Sequence, residues 1–236
     1  MSSLLFENIS DEEFLSQSYL KSVFLDKSGS IGQAFLNHFQ SYKLVLETLG
    51  SEIRDDLFIF RDGVACKKEV YFDEIVNKIL WEKIWKIHDQ EGGTIYLRGL
   101  QKYIPDVANY LKEVTKIVKG RTPFANIFIT PKNSVGLNAH FDPTEFIVFQ
   151  IEGEKKWDIW PAPIAEEAEK MMPEDMAKYC LNIQKSNKPT SSYILRQGDA
   201  LYLPLYSIHS PETFSKSSCH ITIGLAHSNL WGREKN

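Results

Sequence analysis

His140 and Asp142 stand one residue apart in the run His140-Phe141-Asp142. On an extended chain such residues point to the same side. A neutral imidazole nitrogen and an anionic oxygen then converge on one point, which is what a metal ion needs from a strand end. A third donor follows far along the chain. His209 comes after Gly198-Asp199-Ala200-Leu201-Tyr202-Leu203-Pro204, which reads as a turn, a strand and a Pro break. It is expected just past that strand's end, beside Ser210-Pro211. Two His and one carboxylate on one side of a metal leave three positions open opposite, the arrangement of non-haem Fe(II) oxygenases. Alone, the triplet reads better as a surface His and a strand-capping Asp; the distant His and a suitably placed Lys change that balance. The Lys is Lys155. The strand Glu145 to Ile151 leads away from the ligands, and the turn Glu152-Gly153-Glu154 brings the chain back. Of Lys155 and Lys156 only one can face inward. An inward Lys155 can pair with the far carboxylate of a dicarboxylic co-substrate that chelates the metal, with Trp157 on the same face. An ordinary Lys/Glu surface turn is the competing reading. His38 and His88 lie among apolar neighbours in predicted helices and are read as structural.

The chain around these residues has 236 residues, 43% hydrophobic and 25% charged, which suits a soluble globular domain with a sizeable core. A formal net charge of -4 gives no general attraction for nucleic acid or an anionic membrane. Cys66, Cys180 and Cys219 are odd in number and far apart, so free thiols in a reducing compartment are expected. Neither a signal peptide nor a membrane span is visible, and a cytoplasmic location is the expectation.

The first half reads as helical. Helices are expected over Ile9–Phe24, with a Ser10/Glu13 capping box, over Ile31–Leu49 after a Gly/Ser break at Lys27–Gly32, over Phe72–Asp89, and over Pro105–Val118. Between them, Leu57–Arg61 and Val64–Val70 form a hairpin across Asp62-Gly63, and Thr94–Leu97 is a short strand. From Phe124 the runs become short, β-branched and aromatic: Ile127–Thr130, Glu145–Ile151, Lys156–Trp160, Tyr193–Leu195, Ala200–Pro204 and Cys219–Leu225. This spacing predicts a β-sandwich or barrel. A helical insert at about 162–180 interrupts it, a polar loop covers Lys185–Ser192, and the end from Gly232 to Asn236 is frayed. One domain over 1–236 is expected, with 1–120 mostly helical support and 121–230 the β core.

Several runs, taken in order, resemble the JmjC-type ribosomal oxygenases, a group that includes protein arginine and histidine hydroxylases. They are Ala125-Asn126-Ile127-Phe128-Ile129-Thr130-Pro131, then Ser134, Gly136 and His140-Phe141-Asp142, then Phe149-Gln150-Ile151-Glu152-Gly153-Glu154-Lys155-Lys156-Trp157. Gly198-Asp199 to Pro204, His209, and Ser218-Cys219-His220-Ile221-Thr222-Ile223 complete the set. The resemblance implies a mainly β fold with flanking helices: a double-stranded β-helix of jelly-roll (cupin) type, N-terminal helices packed outside, and a helical insert. It implies a 2-oxoglutarate-dependent dioxygenase that uses Fe(II), 2-oxoglutarate and dioxygen to hydroxylate a C–H bond, with succinate and CO2 as co-products. His140, Asp142 and His209 fall on the iron ligands and Lys155 on the residue binding the distal carboxylate. Asn126 and Thr222 fall on positions lining the co-substrate pocket. Phe128 stands where relatives often have Tyr, Thr130 shares its strand face, and His220 shares the face of Thr222 and is expected to point inward.

The relatives carry a C-terminal dimerisation region and a winged-helix region for which this chain has no room. The resemblance thus implies a protein or peptide substrate, with no nucleic-acid or membrane partner, and leaves open whether the chain is an oligomer such as a dimer. Other readings are an N-methyl-lysine demethylase with the same centre, a metal-binding cupin enzyme without 2-oxoglutarate, and a non-enzymatic binding module.

Overall fold

A computed structural model describes residues 3–27 and 42–227. The strands, numbered along the chain, are β1 (Phe24–Asp26), β2 (Leu57–Arg61), β3 (Val64–Ala65), β4 (Phe72–Asp73), β5 (Lys78–Ile79), β6 (Thr94–Leu97) and β7 (Arg121–Thr130). They continue with β8 (Glu145–Glu152), β9 (Glu154–Trp160), β10 (Ser191–Arg196), β11 (Ala200–Leu203), β12 (Ile208–Thr213) and β13 (Ser218–His227). Two antiparallel sheets make the double-stranded β-helix. The larger runs β1-β11-β8-β13-β7-β6-β2-β3, and the smaller runs β10-β9-β12.

Period-2 alternation decides what each face of the large sheet touches. Ile95, Ile127, Ile129, Phe149, Ile221 and Ile223 form one face and pack in a single core with Ile84 and Ile87 of the helix Trp81–Glu91 and with Val107, Leu111 and Val114 of the helix Pro105–Ile117. The opposite face turns toward the small sheet. There Phe146, Val148, Leu201 and Leu203 meet Trp157, Ile159 and Leu195. The interior between the two sheets is where inward polar residues of β7, β9 and β13 must end up.

Local signals explain most element ends. Ser10 caps the helix Asp11–Gln17 with the expected box: the Glu13 amide donates to Ser10 Oγ at 3.2 Å and the Ser10 amide to Glu13 Oε2 at 3.1 Å. The helix does not run on to Phe24, because Leu20 takes φ 60° and the chain enters β1. Of the second predicted helix, Tyr42–Leu49 is helical; residues 28–41, including His38, and the terminal residues 228–236 lie outside the described residues. The β2–β3 turn has φ 52° at Asp62 and 76° at Gly63, but β3 ends at Ala65 and a 3-10 turn, Lys68–Val70, follows.

The expected helix from Phe72 is a correction. Asp73 Oδ1 accepts the amides of Ile75 and Val76, Asn77 turns left-handed, and β4 and β5 form a small hairpin. An Asp that satisfies its own following amides competes with the helix ladder. Ile75 is 97% exposed, and the helix begins only at Trp81. The insert also differs in detail. Met172 and Pro173 break it into Ala165–Ala168 and Pro173–Ser186, so Lys185 and Ser186 are helical rather than loop. Its inner side packs Ala168 and Cys180 on Phe141, Trp160 and Tyr206.

Candidate metal centre

His209 lies past the end of β11, as expected, but within a further strand that was not expected, β12, paired with Ile159 of β9. Pro211 was the misleading signal. β12 is an edge strand of the small sheet, and an edge tolerates a residue without an N–H. The loop after β7 runs alongside. His140 and His209 exchange backbone hydrogen bonds, His140 N–H to His209 O at 3.1 Å and His209 N–H to His140 O at 2.8 Å. This one bridge joins donors 69 residues apart by subtracting 140 from 209.

Side-chain tautomers follow from second partners. His140 Nδ1 lies 2.7 Å from Asn138 O and His209 Nδ1 lies 2.9 Å from Ser207 O. Each Nδ1–H donates to a carbonyl, which leaves both Nε2 lone pairs pointing inward. Asp142 Oδ2 is 3.8 Å from His140 Nε2 and 3.7 Å from His209 Nε2. The donor atoms of the three residues lie within 4.8 Å of one another. Ions of the first transition row take such ligands at about 2.0–2.2 Å, so a small closure of the trio completes a site. Burial holds His209 down to about 4, with the neighbouring His140 adding to the effect and Asp142 opposing it. It is therefore a neutral donor at physiological pH.

The trio opens on a cavity of about 200 Å³ lined by Asn126, Phe128, Lys155, Trp157, His220 and Thr222, among others. Lys155 is 1% exposed and donates to Thr130 Oγ1 at 2.7 Å, while Lys156 points outward to Asp158 and Glu212. Burial lowers the Lys155 ammonium to about 7. Thr130 is fully buried, and its hydroxyl accepts from the Lys155 ammonium and, at 3.4 Å, from Thr94 Oγ1. A Cβ on Gly136 would come within 3.3 Å of Thr130 Oγ1, 3.5 Å of Thr94 Oγ1 and 3.6 Å of Lys155 Nζ. Gly136 thus roofs a polar recess that a side chain would begin to fill.

Asn126 Oδ1 accepts the Gly99 amide at 3.0 Å, which turns its NH2 group away from that loop. His220 Nδ1 and Trp157 Nε1 are buried without a hydrogen-bond partner among the described residues. Their rings lie 5.4 Å apart on the cavity wall, and burial keeps His220 well below its ordinary range. Buried donors left unpaired are costly unless a ligand meets them. A recess with one ammonium, a hydroxyl pair and two unpaired ring groups fits an acidic ligand reaching toward the trio. Sequence reading missed Thr94, Tyr96 and Phe124 on this side. For Thr94 and Tyr96 a signal existed: they alternate with Ile95 and Leu97, which face the helical core.

A His-x-Asp trio completed by a distant His, inside a double-stranded β-helix, defines a cupin-type metal-site protein. The chain belongs to the JmjC domain family, whose model matches residues 100–231. It is 29% identical over 194 residues to ribosomal oxygenase 2 of Rattus norvegicus, covering 79% of this chain and 39% of that protein. It is 25% identical over 232 residues to the bifunctional lysine-specific demethylase and histidyl-hydroxylase NO66 of Dictyostelium discoideum, covering 94% and 42%. The chain therefore spans about two fifths of the length of these relatives. Among solved structures, the ribosomal oxygenase YcfD of Escherichia coli matches with a TM-score of 0.62 at 12% identity, over 95% of this chain and 53% of that one. YcfD has also been solved in complex with cobalt and 2-oxoglutarate; that structure has a TM-score of 0.57 at 12% identity and covers 92% of this chain and 51% of its own.

Proposed function

We propose that this protein is an Fe(II)- and 2-oxoglutarate-dependent oxygenase that hydroxylates a C–H bond on a side chain of a protein or peptide. The observation that carries the reading is one cavity with a His/Asp/His trio at one end and a buried, nearly unpartnered Lys155 at the other. His140, Asp142 and His209 hold the metal through two Nε2 atoms and one carboxylate oxygen. Lys155 and the Thr130 hydroxyl take the distal carboxylate of 2-oxoglutarate, beneath Gly136. Asn126, Thr222 and His220 line its path, and Phe128 packs flat between Tyr96 and His220. When bound, iron and 2-oxoglutarate supply the oxidant: with dioxygen, the co-substrate becomes succinate and CO2 while one oxygen atom enters the target C–H bond.

The residues of the chain supply position and dryness. The two carbonyl contacts at Asn138 and Ser207 keep both imidazoles in the ligating tautomer. Phe146 and Trp157 pack against the His209 ring at 5.0 and 5.7 Å and keep water from that ligand. Residues 1–236 act as one domain in this reading, since a single core joins the large sheet to the helices before it. The test is calorimetric titration of the apo-protein with Mn(II) and then 2-oxoglutarate, followed by a succinate assay with peptide pools. One Mn(II) per chain, lost in His209→Ala and Asp142→Ala, and a +16 Da peptide product are expected. Metal retained in both variants overturns the site, and formaldehyde in place of a +16 Da product assigns the centre to N-methyl-lysine demethylation.

A further inference from the structure

A row of inward side chains crosses five strands in register: Gln150 on β8, His220 on β13, Phe128 on β7, Tyr96 on β6 and Phe58 on β2. Phe128 stacks on Tyr96 at 4.5 Å and 28°, and on His220 at 5.0 Å and 11°. The rings of this row cover one another's faces, so the cavity meets their edges. An aromatic edge is the positive side of the ring quadrupole. Beyond the cavity, Arg98 and Lys68 already lie over the Phe58 ring, at 5.2 and 5.7 Å.

The charged side chains lining the cavity are Asp142 and Lys155. In the proposed function the first belongs to the metal and the second to the co-substrate. Among the described residues no carboxylate is left to meet a guanidinium or ammonium, and the stacked rings Tyr96, Phe128 and His220 cover the faces on which a cation would sit. At the far end, the Phe124 ring lies directly on the β13 backbone, where a Cβ at Gly224 would clash with Phe124 Cζ. That ring narrows the cavity further with an apolar surface.

One polar group on this wall has no assignment. Tyr96 lines the cavity, and its hydroxyl makes no hydrogen bond among the described residues. Burial, with Asp142 adding to it, raises the phenol to about 12, so it remains a donor at any working pH. We propose that Tyr96 is a specificity-determining residue: its hydroxyl hydrogen-bonds the incoming polypeptide, and the ring-edge wall it completes admits an uncharged side chain in preference to Arg or Lys. The inference rests on the proposed oxygenase site and names the chemistry of its target.

The test uses the full chain loaded with Mn(II) and 2-oxoglutarate at pH 8, and capped tripeptides Gly-X-Gly with X as His, Asn, Leu, Arg or Lys. Paramagnetic broadening of the X side-chain protons reports approach to the metal. Broadening several-fold greater for His, Asn or Leu than for Arg and Lys is expected. Tyr96→Phe should lower it several-fold while the Mn(II) and 2-oxoglutarate affinities hold, and Tyr96→Glu should let Arg and Lys compete. Equal broadening by the cationic probes, broadening by none, or an unchanged pattern in Tyr96→Phe overturns the proposal. Failure of the wild-type protein to take up Mn(II) and 2-oxoglutarate overturns the oxygenase reading itself, and is scored first.

Discussion

Asp56 and Lys155 are both buried charges, 5% and 1% exposed, and they are treated in opposite ways. Asp56 receives Arg98 Nε at 2.6 Å, Lys102 Nζ at 2.6 Å and the Tyr103 hydroxyl at 2.6 Å. Burial alone would raise its pKa, but these three donors hold it down at about 2. Among the described residues Lys155 has one hydroxyl and no carboxylate, and burial takes it down to about 7. A charge whose partners are complete ties loops together. A charge left incomplete in a recess keeps its remaining hydrogen-bonding capacity for something that arrives from outside. The difference lies in partners and in depth, since Asp56 sits beside half-exposed Arg98 and Lys102 near the surface while Lys155 is enclosed in the cavity.

The contrast is broken most directly at Lys155. Lys155→Met should weaken 2-oxoglutarate binding by about 3 kcal/mol, the usual loss when one partner of a buried charged pair is removed. It should also raise the melting temperature of the ligand-free protein, because a buried amine gives way to an apolar chain of similar length. Calorimetry and thermal melts on the same sample check both signs. A variant that loses stability and binding together would make Lys155 a structural residue like Asp56.

Asp56→Ala should do the reverse. Three donors lose their acceptor, two of them on half-exposed side chains, so a stability loss of about 1–3 kcal/mol is expected by denaturant titration. Co-substrate affinity should be nearly unchanged. A large loss of 2-oxoglutarate binding would mean that the Arg98–Gly99 loop, through Gly99 and Asn126, reaches the site more strongly than its single hydrogen bond suggests.

The change per pH unit is the smallest step, and it carries two opposite signs. The folded Lys155 value, about 7, lies below its unfolded value of 10.5. Between these values the unfolded chain binds the proton and the folded chain does not. Ligand-free stability should therefore rise with pH from about 7 to 10.5. Binding of a carboxylate needs the ammonium restored, so 2-oxoglutarate affinity should fall above pH 7, by at most about tenfold per unit. Lys155→Met should flatten both curves.

Much of the site was legible because its residues are chemically specific and lie near turns. The structure brings His140, Asp142 and His209 together and buries Lys155, whereas period 2 in the sequence says only that one of Lys155 and Lys156 faces inward. Elements failed where side chains redirected the backbone. Asp73 captured the amides that a helix would have used, and Pro211 hid a strand that only its edge position permits. Thr94 and Tyr96 escaped because nothing local marks β6 as a neighbour of β7.

The sequence by itself determined the donor types, the strand periodicity and therefore which side chains share a face. Tertiary structure alone decided that His209 pairs with His140 across a bridge, that Lys155 meets a hydroxyl and, among the described residues, no carboxylate while Asp56 has three donors, and that Phe128 stacks between Tyr96 and His220. The physical reason is that a face is a local property of a strand, whereas a partner depends on which strands the antiparallel ladders bring side by side.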